Sequence, residues 1–119
     1  MKHEQQEQFA PPPAPRESET VKALRRVRHR IAKGWCQHEQ YNAVTDSFCL
    51  LGAVALESSR NSVRNALLKS LPLDYETLIS FNDEKGRKKE DIYALIDEAI
   101  QRELSYPEEH RQWQELSGR

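Results

Sequence analysis

One of the two cysteines, Cys49, stands at the edge of the most apolar run in the chain, FCLLGAV (48–54). If Asp46 caps a helix that begins there, Cys49 lies in its first turn, where the helix dipole and unpaired N–H groups lower the pKa of a thiol. A thiolate beside an imidazole base is the nucleophile of cysteine hydrolases and transferases. The other members of such a site would be His29 or His38 as the base and Asn82 or Asp83 as the orienting group.

A buried structural role for Cys49 competes with this enzyme hypothesis, and it is the role that we favour. Leu50 and Leu51 follow the cysteine directly, and free cysteine is among the most buried residue types. The pattern shows no strand or glycine-rich elbow that would present the thiol. We therefore expect no catalytic residue, and the alternative is a cysteine-dependent hydrolase or transferase centred on Cys49.

The histidines and cysteines also raise the question of zinc. Four of them follow the spacing H-x6-C-x-H-x10-C, whereas the paired ligands of zinc knuckles stand about two to four residues apart. The acidic start of NDEKGRKKED (82–91) lacks the ligand period of an EF-hand, and we interpret it as a helix–helix turn in which Asn82 and Asp83 bond exposed backbone groups. We expect neither a metal nor a cofactor. The four zinc candidates are His29, Cys36, His38 and Cys49.

Positive charge is concentrated in one segment, KALRRVRHRIAK (22–33), which has six Lys and Arg and no acidic residue. The other 12 basic residues face 19 acidic ones, so the rest of the chain has a net charge of −7 although the whole chain has −1. Such a run is often only a solvated helix face. Its other uses are contact with phosphates, with an acidic protein surface or with the acidic remainder of the chain. The candidate partner-binding residues are Lys22, Arg25, Arg26, Arg28, Arg30 and Lys33.

The elements that must position these groups are short helices in a polar chain. Of the 119 residues, 37% are hydrophobic and 31% are charged, and the mean hydropathy is −0.87. This composition allows one domain with a small core. Residues 1–17, which include three consecutive prolines, read as a disordered tail, with PPAPR (12–16) as a minor candidate for polyproline recognition. We expect the helical domain to span 18–119.

No apolar run is long enough to span a bilayer, and MKHEQQEQFA (1–10) lacks the apolar core of a signal peptide. The sequence therefore predicts a cytoplasmic protein without a membrane segment. Its two cysteines, 13 positions apart, are expected to be reduced there, with a disulfide as the alternative.

The first two helices follow from apolar spacing. A stripe from Val21 to Trp35 predicts a helix capped by Ser18 or Thr20 and ended by Gly34. The polar stretch CQHEQYNAVT (36–45) reads as a loop, and Asp46 as the cap of an almost wholly apolar second helix. Gly52 inside that helix suggests that the backbone of a neighbouring helix passes close by.

Three further helices complete the predicted fold. The third ends before Pro72, and the fourth begins at Asp74 with a staple between Leu73 and Leu78. The fifth has the clearest amphipathic spacing in the chain, is closed by Pro107, and is followed by a turn pinned by Trp113. Period-two alternation is missing, so the prediction is an all-α, orthogonal or bundle-like domain of about five helices. The apolar positions of the fifth helix are Ile92, Leu95, Ile96, Ala99 and Ile100.

Three segments together, GWCQ (34–37), CLLGAV (49–54) and SFNDEKGRKKEDIYALIDEAI (80–100), resemble a family of small, mostly bacterial and phage-encoded helical proteins of unknown function. The resemblance covers about two-thirds of the chain and implies the fold, but no activity. One departure is Lys88, where that family has a Thr that starts the closing helix, so we expect Asp83 or Glu84 to supply the cap. The structural positions of the resemblance are Trp35, Cys49, Gly52, Phe81, Asn82 and Asp83.

The sequence thus predicts a small, non-catalytic binding or regulatory module of bacterial or phage origin. Its basic first helix would contact the partner. A protein partner or self-association is favoured over nucleic acid, and an inhibitor of another enzyme is one form that such a module takes. Leu56, Trp113 and Leu116 are expected to cover the core or to close a dimer.

Overall fold

A computed structural model describes residues 17–105 of the chain, and within them five helices surround one core. This confirms the all-α prediction, with a two-residue-per-strand hairpin as an addition. Residues 1–16 of the predicted tail, Pro107, Trp113 and Leu116 lie outside the described residues. In chain order the elements are α1 (Glu19–Lys33), β1 (Tyr41–Asn42), β2 (Ser47–Phe48), α2 (Leu50–Ala55), α3 (Arg60–Ser70), α4 (Leu78–Asp83) and α5 (Lys89–Ser105).

The core lies between the three longest helices, because α1 packs against both α3 and α5, and these two pack against each other. The predicted stripe of α5 is confirmed, since all five of its apolar positions are buried. The buried side of α1 is likewise its apolar stripe, from Val21 to Ile31. Within the described residues, no helix combines the length and apolar character needed to cross a membrane.

Both predicted ends of α1 are confirmed. The Val21 N–H donates to Ser18 Oγ at 3.1 Å, and the Gly34 N–H donates to the Arg30 carbonyl at 3.3 Å. Gly34 has an extended φ of 178°, so positive-φ freedom is not why glycine is present. A Cβ on Gly34 would lie 2.6 Å from Ser47 Oγ, and the close approach of β2 is therefore what requires glycine.

The segment expected to be a loop forms β1 and the turn of a hairpin, and Asp46 does not cap a helix. Tyr41 pairs with Phe48 in antiparallel register. Asn42 Oδ1 accepts from the backbone N–H groups of Val44 and Thr45 at 3.0 and 3.1 Å, which is the side-chain-stabilised turn that asparagine favours. Asp46 lies in this turn with a φ of +53°. Helix α2 consequently begins four residues later than Asp46, at Leu50.

The predicted start of α4 is also wrong. Thr77, not Asp74, is its cap, with Oγ1 accepting from the Ser80 N–H at 3.0 Å. Leu73 is fully exposed, so the expected staple with Leu78 does not form. Tyr75 instead packs against Phe81, with ring centroids 5.2 Å apart, and this aromatic contact replaces the aliphatic one.

Helix α5 starts without Asp83 or Glu84 as its cap. Asp91 Oδ2 accepts from the Lys88 backbone N–H at 2.9 Å, which is the return half of a capping box. A carboxylate inside the first turn thus supplies the acceptor for the backbone N–H of Lys88, the residue before the helix. Arg87, just before the helix, donates to the Phe81 carbonyl at 2.7 Å and joins α5 to α4.

Candidate functional site

A small pocket of about 130 Å³ unites the residues of the enzyme alternative. It lies where the hairpin, the start of α2 and the end of α4 meet. His29 is not among its residues and is exposed on α1. The pocket-lining residues are His38, Glu39, Gln40, Cys49, Leu51, Ile79, Asn82 and Asp83.

Cys49 is itself the cap of α2, which places it one position before the first turn. Its Sγ accepts from the Gly52 backbone N–H at 3.3 Å, and only 5% of the residue is exposed. Burial raises the pKa of the Cys49 thiol, although hydrogen bonds from nearby backbone N–H groups oppose this effect. The expectation that the helix start lowers this pKa is therefore wrong, because desolvation outweighs the N–H groups.

Asn82 is the most completely bonded side chain of the site, and it is 1% exposed. Its Oδ1 accepts from Trp35 Nε1 at 2.7 Å and from the Leu50 backbone N–H at 3.0 Å. Its Nδ2 donates to the Cys36 carbonyl at 3.2 Å and to Asp83 Oδ1 at 2.8 Å. One amide thus joins the end of α1, the start of α2 and the end of α4. We call these bonds the Asn82 network.

Asp83 and His38 form the exposed edge of the pocket. The His38 backbone N–H donates to Asp83 Oδ1 at 2.9 Å, and His38 Nδ1 lies 3.9 Å from Asp83 Oδ2. Burial acts to raise the pKa of Asp83, but the hydrogen bonds from His38 and Asn82 lower it overall. The Asp83 carboxylate, at the end of α4, thus holds the backbone of His38, which has a φ of +71°.

Gly52 and Gln40 show how closely the hairpin is seated on α2. A Cβ on Gly52 would overlap the Gln40 carbonyl oxygen and lie 2.8 Å from the carbonyl carbon. The predicted close approach at Gly52 is confirmed, but the neighbour is the residue just before β1 and not a helix. The Cys49 N–H donates to the same Gln40 carbonyl at 3.1 Å, so a side chain at position 52 would force the two segments apart.

Gln37 is a site residue that the motif positions did not include. Its Nε2 donates to the carbonyls of Asn82 and Glu84, each at 3.0 Å. The signal that could have identified Gln37 is its place in GWCQ (34–37), directly after Trp35 and Cys36. Among the described residues, no three His, Cys, Asp or Glu side chains are grouped so as to hold a metal ion.

The second candidate site is the charged side of α1, where the arginines face carboxylates of the same chain. Arg28 donates to both oxygens of Asp97 on α5, at 2.7 and 3.1 Å, and its guanidinium lies 4.3 Å from the Tyr93 ring centroid. Three kinds of contact were considered for the basic run 22–33. At Arg28 the structure shows one of them, contact with the acidic remainder of the chain.

Glu57 is the centre of a second contact of this kind, and sequence reasoning missed it inside the turn ESSRNS (57–62). The residue is 3% exposed. Arg26 Nε donates to its Oε1 at 2.9 Å, and Arg30 donates to its Oε2 and, at 3.3 Å, to the Ala53 carbonyl. Burial acts to raise the pKa of Glu57, but its bonds to the two arginines lower it overall. We call this group the Glu57 cluster.

Five basic or imidazole side chains of α1 form an exposed row, and one of them, Arg26, also belongs to the Glu57 cluster. Arg25 binds Glu17 in a bidentate pair, with Nη2 2.6 Å from Oε2, and half of its side chain is exposed. Spacings of three, four and seven residues place these side chains along one side of the helix. We define the basic stripe as the exposed residues Lys22, Arg25, Arg26, His29 and Lys33.

Residues 15–102 match the family model described as "Family of unknown function (DUF6197)". The match agrees with the expected relationship to a family of unknown function, whereas a bacterial or phage source stays a prediction. No curated protein and no solved structure matches the chain.

Proposed function

The chain belongs to DUF6197, a family of unknown function, and from that premise we propose that it is a non-catalytic binding module whose basic stripe docks on an acidic protein surface. The observation that carries this proposal is the one-sided charge of α1, which has five exposed basic or imidazole side chains and no acidic residue between positions 22 and 33. A surface of one sign steers and orients a partner of the opposite sign.

The two flanks of α1 support the proposal because they hold the stripe on a rigid helix. On one flank Arg28 binds Asp97 of α5, and on the other Arg30 binds the buried Glu57. The apolar side between them is buried in the core. A partner would therefore meet side chains whose backbone is already ordered, and preorganisation reduces the entropic cost of binding.

Carboxylates are favoured over phosphates as the ligand for two reasons. Two arginines of the stripe already bind carboxylates, since Arg25 pairs with Glu17 and Arg26 with Glu19. Carboxylates of an acidic partner would replace these intramolecular carboxylates in the same kind of ion pair. Proteins that bind single-stranded nucleic acid combine basic grooves with aromatic residues on which bases stack, and residues 22–33 contain no Phe, Tyr or Trp.

The test is capture of partners by the immobilised full chain from nuclease-treated lysate of its source cells, followed by salt washes. The triple variant K22E/R25E/K33E reverses the stripe without touching the Glu57 cluster. The control R64E/K85E/K88E reverses three exposed basic residues elsewhere. We expect a protein that the wild type and the control retain and the stripe variant loses.

Equal capture by all three chains would contradict the proposal, provided that circular dichroism shows them equally folded. A parallel arm without nuclease addresses the other partner class. Nucleic acid that is retained at low salt, lost at high salt and lost by the stripe variant would replace the acidic protein with phosphate as the ligand.

The cysteine-dependent enzyme is a second candidate, favoured by one observation, the meeting of Cys49, His38, Asn82 and Asp83 around one pocket. It requires a thiol that reacts with iodoacetamide at neutral pH faster than free cysteine does. A thiol that serves only as the buried cap of α2 reacts on unfolding. The C36A variant isolates Cys49 for this measurement.

A further inference from the structure

The two cysteines occupy neighbouring positions on two paired backbone segments. Trp35 and Phe48 form a parallel bridge, in which the Phe48 N–H donates to the Gly34 carbonyl at 2.9 Å and the Cys36 N–H donates to the Phe48 carbonyl at 3.1 Å. Cys36 and Cys49 are the next residues along each segment. Adjacent strands lie about 4.8 Å apart, and disulfides join Cα atoms about 4.4–6.8 Å apart.

The side chains of this pair share a face. The pair Gly34 and Ser47, two residues earlier on both segments, meets so closely that a Cβ on Gly34 would be 2.6 Å from Ser47 Oγ. Because side chains alternate with a period of two, residues 36 and 49 extend on the same face. The position of Cys36 Sγ, 3.5 Å from the Ser47 carbonyl oxygen, shows that this thiol contacts the segment that contains Cys49.

Both sulfurs are free thiols with unequal access to solvent. Cys36 is half-buried and Cys49 is buried. Burial is the main cause that raises the pKa of the Cys36 thiol, and the charge of a Cys49 thiolate is the next. A charge effect between the two groups agrees with sulfurs that lie near one another. Neither thiol belongs to a metal-binding group of the described residues.

We propose that Cys36 and Cys49 are a thiol-oxidation site that closes to an intramolecular disulfide by exchange with a low-molecular-weight disulfide such as oxidised glutathione. This site is independent of the basic stripe and requires no bound partner. Closure would tie the segment after α1 to the cap of α2, and the Cys49 sulfur would leave the Gly52 N–H.

The exchange has two steps. Cys36, the more accessible thiol, loses its proton and attacks one sulfur of oxidised glutathione, whose S–S bond breaks and releases one glutathione thiol. Cys49 then loses its proton and attacks Cys36 Sγ, and the second glutathione leaves as a thiol. The two protein thiols lose two hydrogens and two electrons, and the small disulfide is reduced to two thiols.

The experiment equilibrates the full chain in glutathione buffers of graded oxidation, quenches with acid, alkylates free thiols in denaturant and measures intact mass. We expect the wild type to lose two hydrogens and to escape alkylation in the oxidised buffers. The rate of closure should increase as the pH is raised from 7 to about 9, because thiolate is the attacking species.

Two variants identify the order of attack. C49S keeps an oxygen acceptor for the Gly52 N–H, since serine is a good helix cap, and should stop as a mixed disulfide with one glutathione on Cys36. C36A should remain a free thiol at Cys49 in the folded state. A glutathione adduct on Cys49 in folded C36A would overturn the assigned order and with it the site as proposed.

Three results would overturn the proposal outright. The wild type could keep both thiols through every buffer, it could form disulfides between chains, or it could form the internal bond only in denaturant. Thermal unfolding adds a second readout, because closing the loop 36–49 restricts the unfolded chain. The oxidised protein is expected to have a higher Tm than the reduced one, and a lower Tm would show that the pair does not fit a disulfide.

Discussion

The Asn82 network and the Glu57 cluster solve similar connection problems with different chemistry. Asn82 is a neutral amide that binds an indole N–H, a backbone N–H, a backbone carbonyl and a carboxylate. Glu57 is a charged group that binds two guanidinium groups. Both residues are almost fully buried, at 1% and 3% exposure. The partners of the amide are buried or half-buried, whereas almost half of the Arg26 side chain beside Glu57 is exposed.

This difference in exposure suggests different roles for the two groups. The Asn82 network fixes how the segments assemble, and the Glu57 cluster neutralises charge. Removing a buried amide leaves several backbone and side-chain groups without their partner, and each of these groups then keeps its desolvation cost. The side chains of Arg26 and Arg30 are 46% and 26% exposed, so water compensates part of any loss of their ion pairs. We therefore expect the Asn82 network to govern stability and the arginine side of α1 to tolerate change.

The largest expected effect is that of Asn82→Ala. It would leave the Trp35 N–H, the Leu50 N–H and the Cys36 carbonyl without their partner, and we expect a loss of about 3 kcal/mol in the free energy of unfolding. Urea unfolding measured by tryptophan fluorescence and circular dichroism gives this value. Asn65→Ala, at an exposed position of α3, is the matched control and should change the free energy of unfolding little. Equal losses in the two variants would refute the special role of Asn82.

Gly52→Ala should have the next largest effect. The added methyl overlaps the Gln40 backbone, and overpacking of this kind costs about 2 kcal/mol in unfolding free energy, more than alanine gains in helix propensity. Gly86→Ala is the comparison for backbone strain without overpacking, because nothing lies near its missing Cβ but its φ of +83° costs an alanine about 1 kcal/mol. A stable G52A protein would show that the hairpin is not pressed onto α2.

Glu57→Gln tests the charged region and is expected to lower the unfolding free energy at pH 7 by about 1 kcal/mol, since both arginines remain partly hydrated. The pKa of Glu57 is lowered in the folded state. Its contribution is therefore present above the ordinary glutamate pKa of 4.5 and is lost as pH falls through the lower folded value.

The difference between wild type and E57Q should accordingly shrink below pH 4.5, which urea titrations at several pH values would measure. Glu76→Gln, at an exposed position, controls for general acid effects. A difference that grows on acidification would mean that the folded pKa of Glu57 is raised.

The smallest effects belong to the outer ion pairs of α1. Arg28→Ala removes a bidentate pair with Asp97 and the contact with Tyr93, and a loss of about 0.5 kcal/mol is expected because both charged groups are substantially exposed. Arg25→Ala should leave the urea midpoint unchanged. The R28A effect should decrease in 1 M salt, where screening acts within about 3 Å, and a large, salt-insensitive loss would place Arg28 with the buried network.

Sequence reasoning succeeded where one helix determines its own outcome. The spacing of Ile92, Ile96 and Ile100 depends only on the helical period, and Ser18 caps α1 through a residue three positions away. The same local rules indicated that Cys49 is buried and that something approaches Gly52. These features follow from short-range geometry and the burial of apolar side chains.

It failed where two acceptable local signals competed. Asp46 and Asp74 are both of a residue type that caps helices. Asp46 nevertheless lies in the turn that Asn42 stabilises, and α4 is capped by Thr77 and not by Asp74. The partners of the arginines lie beyond any local pattern, because Arg28 and Asp97 are 69 residues apart in the chain. The role of Asn82 in the candidate site was equally out of reach of a local pattern, because its partners come from distant segments of the chain.

That distance along the chain has a kinetic consequence. The bonds of Asn82 to Trp35, Leu50 and Cys36 span 47, 32 and 46 residues, and contacts that close such long loops form late when local helices form first. The amide should be free in the folding transition state and bound only on its native side. In a chevron plot, N82A would then accelerate unfolding and leave the folding arm almost unchanged, so that this one side chain sets the lifetime of the folded protein more than the speed at which it forms.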